Sequence, residues 1–263
     1  MIYSSFCYCF KEGDFADNLK RIASCGYDGV EIWSYDLETR PIDKTVEALE
    51  NAGLKCAQIC PYFNFVGSFD DWSNSMQIGT QYIEYARALG SPLVRVFTGP
   101  MAEEQRVSGQ FATIEQWDAA MRGLALLCAE AEKYGVRFCL EIHPGQLMED
   151  SHSALRLVEA VRSSNLVVNP QIPLRNEDPW YSLGRLAGHI GHFHAHNWTD
   201  TIGGTLTTLP NGIFDWESYL KQALEDRFDG FVSIEHAPAI GDPWEIASIN
   251  GAYLSELAGK LNP

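Results

Sequence analysis

Short runs rich in β-branched and apolar residues alternate with amphipathic helical segments eight times along this chain, and that rhythm constrains its fold more than any other feature. The strand-like runs cover residues 3–9, 29–33, 55–60, 93–97, 137–143, 166–171, 192–197 and 231–236. Helical periodicity fills the spaces between them. Asp14 is placed to cap a helix with Phe15, Leu19 and Ile22 on one face, stopped by Gly26. Asp43, Asp71, Thr113, Ser151 or Ser153, and Asp215 are the expected starts of later helices, and residues 180–186 and 243–257 complete the set. Strict strand–helix alternation implies parallel strands joined by right-handed crossovers. The expected fold is α/β, a (β/α)8 TIM barrel in a single domain over residues 1–263. Its length fits, because such barrels run to about 250 residues as one domain.

Composition narrows the partners. The formal net charge of −16 repels phosphate backbones and anionic membranes, so neither nucleic acid nor a membrane is expected. There is no basic n-region at the start and no apolar run of bilayer length, which points to a cytoplasmic location. Seven cysteines without a repeating spacing read as reduced, packed thiols rather than a disulfide framework. Self-association into a homo-oligomer is left open by the sequence.

In a barrel of this kind, functional groups stand at the C-terminal ends of the strands. Alternation puts Glu141 and His143 on one face of the fifth run, and Asn169 and Gln171 on one face of the sixth. His192, His194 and His196 share a face of the seventh, and Glu235 ends the eighth. Glu31 and Gln58 hold equivalent positions on the second and third. A buried carboxylate is costly unless it is paired, hydrogen-bonded or bound to a metal. Two carboxylates and an imidazole, Glu141, His194 and Glu235, suit an oxygen-loving divalent cation such as Mn²⁺ or Mg²⁺. With a cation polarising a carbonyl or hydroxyl oxygen, Glu141 and Glu235 are the candidate proton shuttles at the neighbouring carbon. Trp33 and the aromatics Tyr62, Phe63, Phe65, Trp72 and Trp198 lie near predicted loops, where their faces suit the apolar side of a sugar ring. Glu31, Trp33, Gln58, His143, His196 and Arg175 are the expected substrate contacts. Arg95 and Arg175 are the nearest cations, too few for a phosphate site, so the expected substrate is an unphosphorylated small-molecule carbohydrate or derivative.

These residues carry a resemblance. Gly26-Tyr27-Asp28-Gly29-Val30-Glu31, Leu140-Glu141-Ile142-His143-Pro144-Gly145, His192-Phe193-His194-Ala195-His196-Asn197 and Ser233-Ile234-Glu235 occur in the order seen in the xylose isomerase-like TIM-barrel superfamily. The chain resembles its sugar phosphate isomerase/epimerase branch over nearly its whole length. The resemblance implies one divalent metal held by Glu, Asp, His and Glu from the last four strands, with the glutamates as acid and base. It assigns Glu141, His194 and Glu235 to three of those positions. At the second position, counting from Asn165, Gln171 stands where the family has Asp. Leu174 replaces the family's substrate-binding histidine, and Asp200 stands where the epimerases place an arginine.

The leading expectation is therefore a metal-dependent sugar isomerase or epimerase. A lyase or dehydratase would use the same parts, and the sequence does not separate the two. A barrel that has lost its metal and kept a carbohydrate pocket as a binding or accessory protein is the third reading, motivated by Gln171. A DNA-repair endonuclease of the same superfamily is disfavoured by the acidic charge.

Overall fold

The computed structural model describes residues 1–7, 11–174, 176–235 and 237–262, with backbone alone for Ala237 and Pro238. In chain order the elements are β1 (Ile2–Phe6), α1 (Phe15–Ser24), β2 (Gly29–Trp33), α2 (Ser34–Thr39), α3 (Ile42–Ala52), β3 (Lys55–Cys60), α4 (Phe69–Leu89) and β4 (Leu93–Val96). Then follow α5 (Ile114–Glu132), β5 (Arg137–Ile142), α6 (Ser151–Val161), β6 (Leu166–Pro170), α7 (Pro179–Leu186) and β7 (His192–Ala195). The chain closes with β8 (Asn197–Trp198), β9 (Leu206–Thr207), α8 (Trp216–Glu225), β10 (Gly230–Ile234), α9 (Ala237–Ile240) and α10 (Pro243–Leu261). Eight parallel strands, β1 to β7 and β10, alternate with helices as a (β/α)8 TIM barrel, the expected fold class. By contacts the chain divides into two compact units, Met1–Ala57 with Gly191–Pro263, and Gln58–Ile190.

In the first unit the strand order is β2-β1-β10-β7. Register pairs Ser5 with Gly29 and with Ser233, and Ser233 with His194. Gly29 is required by close approach: a Cβ there would lie 2.8 Å from the Phe231 ring and 2.9 Å from the Lys55 carbonyl oxygen. Alternation along β7 sends Phe193 to the face away from His192 and His194. Phe193 is fully buried and packs edge-on against Phe228, Tyr219 and Trp216, with centroids 4.8, 5.9 and 6.4 Å away. Burying one such ring contributes about 1.5–3 kcal/mol, so this packing fixes which face of β7 carries the imidazoles. Helix α1 buries Phe15, Leu19 and Ile22, and Asp14 caps it by accepting from the Asp17 amide at 3.0 Å, both as expected.

In the second unit the order is β3-β4-β5-β6. Register pairs Cys139 with Val167 and Glu141 with Asn169. Leu93, Cys139 and Val167 form one buried cluster, an apolar layer on one sheet face. Arg95, Glu141 and Asn169 follow two residues later on the same strands.

Local departures from the sequence reading have physical causes. The six-residue α2 was not anticipated; it starts where Asp36 accepts from the Trp33 amide at 3.2 Å. Helix α4 begins at a capping box in which Ser68 is the cap and Asp71 its reciprocal partner, three residues earlier than expected. For α6 the cap is Asp150, which accepts from the Ser153 amide at 2.7 Å. Strand β1 ends at Phe6, and residues 8–10 lie outside the described residues. The run expected to continue to Asn197 stops at Ala195. Asn197–Trp198 instead pairs antiparallel with Leu206–Thr207. Among the described residues no helix is long and apolar enough to cross a membrane.

Candidate active site

In the first unit, four strands bring polar side chains to one buried network. Glu31 Oε1 accepts from His192 Nε2 and His194 Nε2, each at 3.0 Å. Glu31 and His192 are fully buried and His194 nearly so. The Ser233 hydroxyl lies 2.9 Å from His192 Nε2 and is hydrogen-bonded to the Ser5 hydroxyl. On the other edge of the His194 ring, Nδ1 is 3.5 Å from Glu235 Oε2. Cys7, Glu31 and His194 also offer ligand atoms within 4.8 Å of one another.

Charge in this network follows from its partners. Burial by itself raises the Glu31 carboxyl, but the His194 and His192 imidazoles outweigh it and hold that carboxyl well below the usual carboxylate range. Glu31 is therefore an anion, and an anion can only accept, so His194 carries its proton on Nε2. Nδ1 is the nitrogen toward Glu235, and on a ring protonated at Nε2 alone it is the one with a lone pair for a ligand. Burial holds the His192 imidazole below the usual histidine value despite the pull of Glu31.

The second unit solves a similar problem with other groups. Glu141 is 2% exposed on β5. Its Oε2 accepts from Arg95 Nη1 at 3.2 Å and its Oε1 from Gln171 Nε2 at 2.5 Å. Arg95 also donates to the Pro61 carbonyl at 2.9 Å and lies over the Phe97 and Tyr62 rings, 4.3 and 4.8 Å from their centroids. Burial opposes the Arg95 charge, yet Cys60, Glu141 and Tyr62 more than offset it, and the guanidinium is held above its usual value.

The remaining expected residues are distributed as follows. Gln58 is fully buried. His143 is half-buried, with its Nδ1 2.8 Å from the Pro144 carbonyl and its ring edge-on to Phe97. His196 is buried edge-on to Trp198 at 5.0 Å, and its carbonyl accepts from Trp216 Nε1. Trp33 is half-buried and its amide starts α2. Arg175 and His236 lie outside the described residues. Asp200, at the position of the epimerases' arginine, is exposed and accepts from the Thr201 and Thr205 amides at 2.8 and 3.0 Å, which organises a turn. Sequence reasoning missed Ser5, Ser233 and Cys7. Their one legible signal is small polar side chains inside apolar strands, as in Tyr3-Ser4-Ser5-Phe6.

Comparison with known proteins gives these features a family. A family model described as a xylose isomerase-like TIM barrel matches residues 19–250. An inosose dehydratase from Yersinia enterocolitica is 22% identical, the match covering 95% of this chain and 92% of that protein. The structure of an L-ribulose 3-epimerase aligns with a TM-score of 0.80 at 17% identity, over 99% of this chain and 96% of the other. A xylose isomerase-like TIM barrel protein from Mycobacterium smegmatis, in complex with magnesium, aligns with a TM-score of 0.77 at 16% identity, over 95% and 89%. On the extent of the family match, this chain belongs to the xylose isomerase-like TIM-barrel family.

Proposed function

We propose that the protein is a divalent-metal-dependent isomerase or epimerase that acts on a sugar or sugar derivative by proton transfer beside a carbonyl. The observation that carries this reading is His194, held between two carboxylates. Glu31 accepts a hydrogen bond from its Nε2, and its Nδ1 faces Glu235. Metal-ligating histidines ordinarily donate their other ring N–H to a carboxylate in this way. The donor chemistry of this half therefore fits a divalent cation. The family pattern adds Glu141 and Gln171, and both bring oxygen atoms of the kind Mn²⁺ and Mg²⁺ prefer. Glu141, Gln171, His194 and Glu235 would hold the cation. When bound, it supplies Lewis-acid polarisation of a carbonyl or hydroxyl oxygen.

The protein's own groups do the rest. Glu235, the least buried of these carboxylates at 15% side-chain exposure, takes a proton from the carbon beside the carbonyl. Glu141 is the partner carboxyl: it stands as an anion beside Arg95, and once it has taken up a proton it returns that proton on the other face or at the adjacent carbon. Glu31 acts through His194, fixing its tautomer and tilt. Trp33, Gln58, His143 and His196 are proposed to line the sugar. The resemblance to an inosose dehydratase favours a second reading on the same groups. There, the electron pair left by proton removal expels a β-hydroxyl, protonated as it leaves, as water.

The test is to incubate the protein with ketoses, inososes and 3-keto sugars in D₂O with Mn²⁺. Deuterium is expected at the carbon beside the carbonyl, and Glu235→Gln should slow its entry by about 10²–10⁴-fold. Product mass separates isomerisation from loss of water. Undiminished exchange in Glu235→Gln, in protein that retains no Mn²⁺, would sink the reading.

A further inference from the structure

We propose that Asn169 is a recognition residue that takes hydroxyl groups of the substrate; this rests on the carbohydrate reading above. Asn169 stands on β6 and is fully buried. Its register partner on the parallel strand β5 is Glu141, so both side chains leave the sheet on the same face. Two residues earlier that face is apolar, because Val167 packs with Cys139 and Leu93. No partner comes from below. Beside it, Glu141 is engaged by Arg95 and by Gln171. Among the described residues, neither Oδ1 nor Nδ2 of Asn169 has a hydrogen-bond partner.

Burying a carboxamide with both ends unsatisfied is a cost that a folded protein seldom retains without a use. Its chemistry says what would satisfy it. An amide presents an acceptor and a donor side by side. A hydroxyl group does the same, and two adjacent hydroxyls can meet both ends at once. An anion could meet only the donor, and a cation only the acceptor. The ligand class that matches Asn169 is therefore a neutral polyol carrying vicinal hydroxyls.

The experiment reads binding without turnover. The protein in Mn²⁺ buffer is titrated calorimetrically with myo-inositol and with D-arabinitol, which carry vicinal hydroxyls but no carbonyl. Wild type should bind at least one of them. Asn169→Leu, close to isosteric and apolar, should bind about 10–100-fold more weakly, the worth of one or two hydrogen bonds. The same variant should melt at or above the wild-type temperature, because an unsatisfied buried amide has been removed. Asn169→Ser, which keeps one hydroxyl, should fall between the two in affinity and serves if the leucine variant does not fold. Polyol affinity unchanged in the variants, or no binding by wild type, overturns the proposal. Asn169-dependent polyol binding without deuterium entry into any ketone would defeat the isomerase reading and leave this assignment standing.

Discussion

Glu31 and Glu141 occupy comparable places in the two units, each a glutamate in an apolar parallel strand with its carboxylate almost out of reach of water. Their compensation differs in kind. Glu31 is met by two imidazoles, His192 and His194, each at 3.0 Å. Glu141 is met by a guanidinium and a carboxamide. An imidazole is a donor on one edge and a ligand on the other, so the Glu31 arrangement passes its charge on to Nδ1 of His194. A guanidinium is charged at any accessible pH and has no lone pair to offer. Arg95 therefore neutralises Glu141 where it stands, and Gln171 adds no charge. The first unit sets a ligand nitrogen beside a carboxylate, and the second meets its carboxylate with a fixed cation and an amide.

The largest effect should come from breaking that balance. Arg95→Met would leave Glu141 a buried anion without its guanidinium partner and should cost about 3–5 kcal/mol in urea unfolding. Replacing both, Arg95→Met with Glu141→Leu, should recover most of the loss, because the burden lies in the unpaired charge and not in the missing contact. A single variant as stable as wild type would mean that Glu141 does not depend on Arg95. In the first unit the matching change is Glu31→Gln, which keeps an acceptor but removes the charge that fixes the His194 tautomer. Mn²⁺ affinity, followed by the electron spin resonance of the free ion, should fall by about 10–100-fold. Equal affinity in wild type and variant would show that Glu31 only packs.

How far this contrast was legible in the sequence depends on range. The barrel was, because strand–helix alternation and caps such as Asp14, Thr113 and Asp215 are local signals, and all three caps are found. The start of α6 was not resolved between Ser151 and Ser153, and the cap proved to be Asp150. Several polar residues compete there, and backbone geometry selects one. The end of β7 was missed because a period of two does not say when a strand leaves one sheet for another. Glu31, Glu141, His194 and Glu235 stood out as polar residues in apolar runs. Their partners did not. Glu31 and His194 are 163 positions apart, and their pairing depends on strand order and register across β2, β1, β10 and β7. Arg95 could be named as a nearby cation, but its bond to Glu141 follows from the pairing of β4 with β5.

Gln171 is where the contrast can be sharpened with the smallest change. Its amide donates to Glu141, so the position where the resemblance implies an acid is here a neutral hydrogen-bond donor to one. Gln171→Asp would set a second carboxylate beside Glu141. Without a cation, two like charges at that distance repel, and the variant should melt below wild type in EDTA. With Mn²⁺ the same pair becomes an attractive dianionic edge, and affinity should tighten by about tenfold, roughly 1.4 kcal/mol. Because a ligand that binds only the folded state raises its stability, the variant should also gain more melting temperature from Mn²⁺ than wild type does. The sign of that difference is the decisive quantity. A Gln171→Asp variant stabilised less by Mn²⁺ than wild type would place strand β6 outside the cation's reach and confine metal binding to the His194 half.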